Sequence, residues 1–150
     1  MTEPRIIDGG LAVDDRGCVS FVNDFDFKDV KRFYMVENHR RGYIRAWHGH
    51  RKEAKYVFVP QGSIKLGVVA IKDKQGTEQS FRNQPKEFCL SSRRPQILYI
   101  PPGYYNGFQT LEENTKVIFL STSTLEESAK DDLRAFYDIW WKDFWKENQR

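Results

Sequence analysis

The chain has 150 residues, of which 39% are hydrophobic and 30% are charged, and its net charge is +3. This composition predicts one folded domain over residues 1–150 and excludes a disordered or membrane-embedded chain, since no apolar run approaches the roughly 20 residues of a transmembrane helix. The 24 basic and 21 acidic residues are interspersed, which argues against a nucleic-acid-binding surface.

The N-terminal sequence and the cysteines indicate a cytoplasmic protein. Residues 1–5 lack the apolar core of a signal peptide. Cys18 and Cys89 are isolated in the sequence, which is typical of reduced thiols and not of a disulfide framework. We therefore expect a cytoplasmic location and no membrane partner.

Most of the chain reads as short β-strands. Segments rich in Val, Ile, Phe and Tyr alternate with Gly, Pro, Asn and Asp. The predicted strands are 18–22, 31–36, 44–47, 55–59, 63–71, 87–90, 97–100, 108–110 and 116–121. Residues 60–62 and 73–76 are predicted turns. This spacing predicts an all-β sandwich or barrel over about residues 14–121.

The C-terminal segment has a different period. Its apolar residues recur with the spacing of one helix face: Leu133, Phe136, Tyr137, Trp140, Trp141, Phe144 and Trp145. This predicts an amphipathic α-helix over about residues 125–147. Residues 124–127 fit a capping box that opens this helix or a turn before it. The aromatic face is expected to pack against the barrel or a second subunit, and a homodimer is the commonest way to cover it.

The histidine segment matches half of a metal-binding motif. Gly42, His48, His50 and Gly62 have the spacing of the cupin pattern Gly-x5-His-x-His-x3–4-Glu-x6-Gly, but Lys55 stands where the glutamate belongs. In the second half of the pattern, Pro-x-Gly-x2-His, an asparagine replaces the histidine at position 106. An ammonium group repels a divalent cation, and strand alternation can turn the nearby carboxylate at position 53 away. We therefore expect no metal and no cofactor.

Without a metal, the same residues suit proton transfer. A histidine titrates near neutrality and can remove a proton from a carbon next to a ketone. Lys55 or Arg45 can then support the enolate. In the alternative interpretation, His48 and His50 are only hydrogen-bonded residues of a barrel.

Three stretches carry a family resemblance. Residues 14–17 (Asp-Asp-Arg-Gly), residues 37–48 with their Asn-His and Ile-Arg-Ala-Trp-His, and residues 100–108 (Ile-Pro-Pro-Gly-Tyr-Tyr-Asn-Gly-Phe) resemble motifs of the dTDP-4-dehydrorhamnose 3,5-epimerases. This resemblance implies a cupin fold, a double-stranded β-helix or jelly-roll barrel. It also implies an isomerase of a nucleotide-linked 4-keto-6-deoxy sugar in surface-polysaccharide synthesis, such as that of lipopolysaccharide.

The resemblance assigns roles to individual residues. His48 matches the catalytic base and Lys55 the lysine that stabilises the enolate. Arg45 and Arg16 match arginines that contact the substrate's phosphates, and Arg16 is expected to reach in from a neighbouring subunit. The further residues predicted to bind substrate are His39, Asn106 and Tyr104. His39 is expected at the surface or at the rim of the substrate site, and Tyr104 at the rim.

One departure leaves the reaction open. Residues 117–124 lack the tyrosine that serves the 3,5-epimerases as catalytic acid. The related dTDP-sugar 3,4-ketoisomerases use two histidines in a His-x-His motif and a tyrosine on the preceding strand, which His48, His50 and Tyr34 match. Tyr34 can equally be a packing residue of the barrel.

We favour a cofactor-independent epimerase or isomerase of a 4-keto-6-deoxy sugar nucleotide, with the 3,4-ketoisomerase as the alternative. Two other classes compete with it, a metal-dependent cupin oxygenase and a non-catalytic cupin that binds sugar nucleotides.

Overall fold

Two antiparallel five-stranded sheets form the fold. The computed structural model describes residues 2–72, 84–138 and 141–150. Within these residues the strands are β1 (Arg5–Asp8), β2 (Gly10–Asp14), β3 (Gly17–Phe21), β4 (Arg32–Glu37), β5 (Ile44–His50), β6 (Lys55–Gln61), β7 (Ser63–Ala70), β8 (Lys86–Ser91), β9 (Gln96–Ile100), β10 (Tyr104–Thr110), β11 (Lys116–Ser121) and β12 (Leu133–Arg134).

The strands form two layers and a separate hairpin. One sheet, here the β6 sheet, has the order β1-β9-β6-β11-β4, and the other, the β10 sheet, has the order β12-β5-β10-β7-β8. Among the described strands, β2 and β3 pair only with each other. The predicted all-β fold is confirmed, and nine of these strands lie on predicted ones.

The core lies between the two sheets, where alternate residues of both point inward. On β11, for example, Val117 and Phe119 are buried while their neighbours are partly exposed. They join inward residues of β6, β7, β9 and β10 in one hydrophobic cluster. Two packed faces with period-2 alternation are what the sequence pattern predicted.

The turn between β6 and β7 depends on Gly62. Its φ is +81°, and a Cβ there would lie 2.1 Å from Oγ1 of Thr115. The predicted turn at residues 60–62 is therefore confirmed, because this conformation and this contact both require glycine. The other predicted turn, at residues 73–76, lies outside the described residues.

The prediction of one helix over residues 125–147 is wrong. Helix α1 covers only Leu125–Ala129, and its N-terminus has the predicted capping box between Thr124 and Glu127. The chain then forms β12, in which Leu133 pairs with Gly49 and Arg134 with His48. A 3-10 helix, Lys142–Trp145, follows. Backbone pairing with the edge of β5 replaces the intrahelical hydrogen bonds, which the apolar period could not reveal.

The C-terminal aromatic residues pack on the outer face of the β10 sheet. Trp47 is buried there, and the ring centroids of Trp145, Phe144 and Trp141 lie 5.2, 6.0 and 6.4 Å from its own. A Cβ at Gly67 would come within 2.8 Å of the rings of Trp47 and Phe144, so glycine permits this close packing. We call these four aromatic residues the outer aromatic cluster.

Not all of the predicted aromatic face takes part. Phe136 and Tyr137 are exposed, and Trp140 lies outside the described residues. The expectation that the aromatic face packs against the barrel therefore holds for Trp141, Phe144 and Trp145. Among the described helices, none has the length and apolar character needed to cross a bilayer.

Replacing Phe144 with alanine should lower the free energy of unfolding by about 3 kcal/mol, because it removes a buried ring from the outer aromatic cluster. The matched control is Phe136→Ala, since that ring is 73% exposed and its loss should change stability by less than about 0.5 kcal/mol. Urea unfolding followed by tryptophan fluorescence measures both. Equal effects of the two substitutions would contradict this packing.

Candidate active site

A cavity of about 390 Å³ lies between the two sheets. Residues of β4, β5, β6, β10 and β11 form its walls, and α1 and β12 border it. The predicted site residues in its lining are Tyr34, Arg45, His48, His50, Lys55 and Asn106. Residues that are distant in sequence are therefore brought to one cavity.

A bulge in β5 directs Arg45 and His48 to the same side. His48 pairs with Asn106 and Arg45 with Phe108, so two residues of β5 stand opposite the single residue Gly107. A Cβ on this glycine would lie 2.4 Å from Cβ of Ala46, which is why the bulge needs glycine on the partner strand. The extra residue interrupts the alternation by one position, so that Ala46 and Trp47 both face outward and His48 faces the cavity as Arg45 does.

His48 is held as a neutral base. Burial, Lys55 and Arg134 together lower the pKa of its imidazole to about 4, against a weaker opposing effect of Asp132. The amide of Asn106 donates a 3.2 Å hydrogen bond to the main-chain oxygen of His48. An unprotonated imidazole at neutral pH can accept a proton, as a general base must.

Lys55 supplies a buried positive charge beside this base. It is 7% exposed, and burial lowers the pKa of its ammonium group despite the opposing charge of Glu53. Its Nζ lies 5.7 Å from the ring centroid of Phe119. A cation in such a poorly hydrated position interacts strongly with negative charge that develops nearby.

Tyr34 lies across the cavity with its hydroxyl protonated. Its ring stacks on Phe119 at 5.2 Å between centroids, and the guanidinium of Arg32 lies 5.0 Å from its centroid. Burial and the charge of Glu53 raise the pKa of Tyr34 to about 12. The phenol can therefore donate a proton or a hydrogen bond, so packing and a chemical role are compatible for this residue.

Glu53 lies behind His50, fully removed from solvent. Its Oε2 is 3.0 Å from Nε2 of His50, and its Oε1 accepts a hydrogen bond from the hydroxyl of Ser121. Burial alone raises the pKa of Glu53, but the hydrogen bonds from His50 and Ser121 and the charge of Lys55 outweigh it and lower the pKa to about 2. This carboxylate is ionised at neutral pH.

Sequence reasoning missed three charged lining residues, Arg32, Arg134 and Asp132. Arg134 belongs to β12, which the helix prediction concealed. Nε of Arg134 donates to Asp132 at 2.8 Å, whereas Nε of Arg45 donates to Asn38 at 2.7 Å. With Lys55 these arginines make the described lining strongly cationic.

Three predicted residues lie elsewhere. Arg16 is at the tip of the β2–β3 hairpin, exposed and ion-paired with Asp14 at 2.5 Å. His39 is exposed in the loop after β4. Tyr104 is buried at the start of β10, and its hydroxyl donates to the main-chain oxygen of Thr2 at 3.4 Å. The expectation that this tyrosine stands at the rim is wrong, since the turn leads directly into a central strand.

Lys55 and Asn106 occupy two of the metal-ligand positions of the cupin pattern. In the part of the chain that the structure describes, no three His, Cys, Asp or Glu side chains are grouped as a metal site. Glu53 contacts His50 from behind, and Lys55 lines the cavity beside both histidines.

The family model of dTDP-4-dehydrorhamnose 3,5-epimerase matches residues 5–146. The chain belongs to this family. Its members and structural neighbours are epimerases and ketoisomerases, so the protein is an enzyme of the isomerase class, and the predicted family is confirmed. The comparison with curated proteins found no match.

Solved structures support the cupin fold. The 3,5-epimerase from Sulfolobus tokodaii is 26% identical, with a TM-score of 0.71 over 90% of this chain and 78% of that chain. The epimerase from Mycobacterium tuberculosis is 21% identical, with a TM-score of 0.73 over 90% and 70%. A 3,4-ketoisomerase from Thermoanaerobacterium thermosaccharolyticum is 20% identical, with a TM-score of 0.67 over 95% and 94%.

The replacement Lys55→Met should raise the pKa of His48 from about 4 toward its ordinary value of 6.5, because it removes a nearby positive charge. Titration of the imidazole signals by NMR measures this shift. The unfolded chain binds this proton more readily, so the wild-type free energy of unfolding should fall as the pH drops from about 6.5 toward 4. If the NMR titration of the His48 imidazole in the wild type has its midpoint near pH 6.5, the described electrostatics of the site are contradicted.

Proposed function

We propose that this protein is a cofactor-independent epimerase or isomerase of a nucleotide-linked 4-keto-6-deoxy sugar, with His48 as its base. One observation carries the proposal: an imidazole kept neutral by burial lies in a cavity whose other charged groups are mostly cationic. A neutral base surrounded by cations suits the removal of a proton from an anionic ligand.

The chemistry follows from the positions of the groups. His48 takes a proton from a carbon next to the C4 ketone, and the electron pair of the broken C–H bond moves to the carbonyl oxygen. The resulting enolate is stabilised by the ammonium of Lys55. In an epimerisation, a proton delivered to that carbon on its opposite face inverts the centre, with the phenol of Tyr34 as the candidate donor. The proton on His48 and the proton lost by Tyr34 are then exchanged with solvent, so no net oxidation or reduction occurs and no co-reactant is consumed.

The arginines suit the nucleotide part of the substrate. Arg45 and Arg134 lie on neighbouring strands of the β10 sheet, and both line the cavity. Guanidinium groups bind phosphate oxygens in a bidentate manner, which favours a diphosphate. The related epimerase structure from Bacillus anthracis contains TDP and pyrophosphate, which supports a thymidine diphosphate sugar as the first substrate to try.

The 3,4-ketoisomerase is the second candidate. His50 and Tyr34 line the same cavity as His48, and the raised pKa of Tyr34 keeps a proton available. Moving the ketone from C4 to C3 needs one proton taken from C3 and one delivered to C4, for which two acid-base groups on one cavity are suited. The product distinguishes the candidates, since a ketone at C3 identifies the ketoisomerase.

We also propose a homodimer, with a different interface from the one expected from the tryptophans. Among the described strands, β4 is at one edge of the β6 sheet. Its residues Phe33 and Met35 are 71% and 52% exposed. The β2–β3 hairpin also exposes Val13 and Val19, and a lone hairpin is marginal in water. If a second copy covers both surfaces, the wild-type protein should sediment as a dimer in sedimentation velocity. The variant Phe33→Asp should then sediment as a monomer.

A dimer of this kind is compatible with the role predicted for Arg16, which is exposed and is not among the residues that line the cavity of its own chain. The proposed setting is the cytoplasm, in synthesis of a sugar for surface polysaccharides such as lipopolysaccharide. The role in polysaccharide synthesis and the role of Arg16 rest on the family resemblance, and the cytoplasmic setting rests on the N-terminal sequence and the isolated cysteines.

The replacement His48→Asn should lower kcat with dTDP-4-keto-6-deoxyglucose at least about 100-fold, because the base is lost while the side chain keeps its polarity. Proton NMR of the sugar measures turnover and identifies the product. Calorimetric binding of dTDP and an unchanged unfolding midpoint are the controls for folding. Full activity in this variant would contradict the proposed mechanism.

A further inference from the structure

The carboxylate of Glu53 is the most completely buried charge next to the cavity. Its side chain has no exposed area, and it lies in the turn after β5, where its own N–H donates to Asp131 at 3.2 Å. The surrounding donors come from four elements: β4, β5, β11 and α1. A buried charge is retained only when its partners satisfy it, so this arrangement is specific.

The two oxygens of this carboxylate have different neighbours. Oε2 accepts from Nε2 of His50 at 3.0 Å and from the hydroxyl of Ser128 at 3.2 Å. Oε1 accepts from the hydroxyl of Ser121 and lies 3.5 Å from a guanidinium nitrogen of Arg32. One oxygen therefore faces the histidine and α1, and the other faces β11 and the arginine.

This contact fixes which nitrogen of His50 carries the proton. An ionised carboxylate can only accept hydrogen bonds, so Nε2 of His50 must be protonated to contact it. In the neutral ring Nδ1 is then the nitrogen with a free lone pair. The orientation of the ring and its tautomer are both set by Glu53.

We propose that Glu53 is the positioning residue for His50, holding it in the Nε2-protonated tautomer so that Nδ1 exchanges protons with the substrate. This inference rests on the proposed function for the identity of the substrate. It extends that function, because it assigns a specific atom to the second acid-base group and a role to a carboxylate outside the motif.

The proton balance is simple. In the shift of the ketone from C4 to C3, His48 takes the hydrogen of C3 as a proton and later delivers it to C4, while Nδ1 of His50 takes the proton of the C3 hydroxyl as that oxygen becomes the ketone. The imidazolium so formed faces the ionised carboxylate, and it returns its proton from Nδ1 to the C4 oxygen, which becomes the hydroxyl. Glu53 stays ionised throughout, so it stabilises the charged ring without taking the proton itself.

The replacement Glu53→Gln tests the tautomer directly. Arg32 is a donor only, so the glutamine must direct its carbonyl oxygen toward Arg32 and Ser121. Its NH2 group then faces His50 and requires Nε2 as an acceptor. The substitution should therefore move the ring proton from Nε2 to Nδ1 while the volume of the side chain is conserved.

The measurement is the ¹⁵N NMR spectrum of the imidazoles, recorded over a pH titration. The tautomer of His50 is assigned from the spectra in which its ring is neutral. The chain has only three histidines, and His50→Asn assigns the signals of interest. We expect Nε2–H in the wild type and Nδ1–H in Glu53→Gln, with kcat lowered at least about tenfold and the Kd for dTDP changed less than about threefold.

Two matched variants separate positioning from general damage. Ser121→Ala removes a different hydrogen bond to Glu53 and should keep the Nε2–H tautomer. Glu126→Gln is the same chemical change on the exposed side of α1 and should keep wild-type kcat. A loss of the wild-type tautomer in Ser121→Ala, or of activity in Glu126→Gln, would contradict the specific role of Glu53.

The outcomes also separate this inference from the proposed function. If the wild type turns over and Glu53→Gln keeps its tautomer or its kcat, the role of Glu53 is overturned and the proposed function stands. If the wild type does not act on the sugar nucleotide, the proposed function fails. The ¹⁵N spectra still decide whether Glu53 fixes the tautomer of His50.

Discussion

The bulge in β5 is the constraint on which the site depends. It lets one strand place Trp47 on the outer face, where the C-terminal aromatic residues cover it, and His48 on the inner face, beside Lys55. The same C-terminal segment supplies β12, which pairs with β5 at His48. Packing outside the barrel and chemistry inside it are therefore linked through a few residues of backbone, and a shift of the bulge by one residue would exchange the two faces.

The electrostatics of the cavity follow from this geometry. Burial and the charge of Lys55 disfavour the charged form of His48, and burial disfavours the charged form of Lys55. Glu53 offsets part of this cost from behind the cavity, where a ligand cannot reach it, so the cavity itself stays cationic. An anionic ligand would complete the charge balance. The same arrangement that costs stability in the free protein thus favours binding of a phosphate-bearing substrate and stabilises an enolate.

The sequence predicted the strands well because their period-2 alternation is a local signal, and the paired replacements at Lys55 and Asn106 indicated the site. The wrong helix prediction could not have been avoided from the sequence. The spacing of Leu133 and the aromatic residues fits both a helix and a strand followed by a 3-10 helix. The choice depends on long-range pairing with β5. Arg134 was missed for the same reason. Glu53 did carry a signal, because it lies three residues after His50.

The central claim is that the protein removes a proton from carbon next to a ketone. The most direct measurement is incubation of the wild-type enzyme with dTDP-4-keto-6-deoxyglucose in deuterated water, with the sugar protons followed by NMR. Our account predicts deuterium at C3, joined by C5 if the enzyme is a 3,5-epimerase. Binding of the sugar nucleotide without deuterium at any carbon would contradict it.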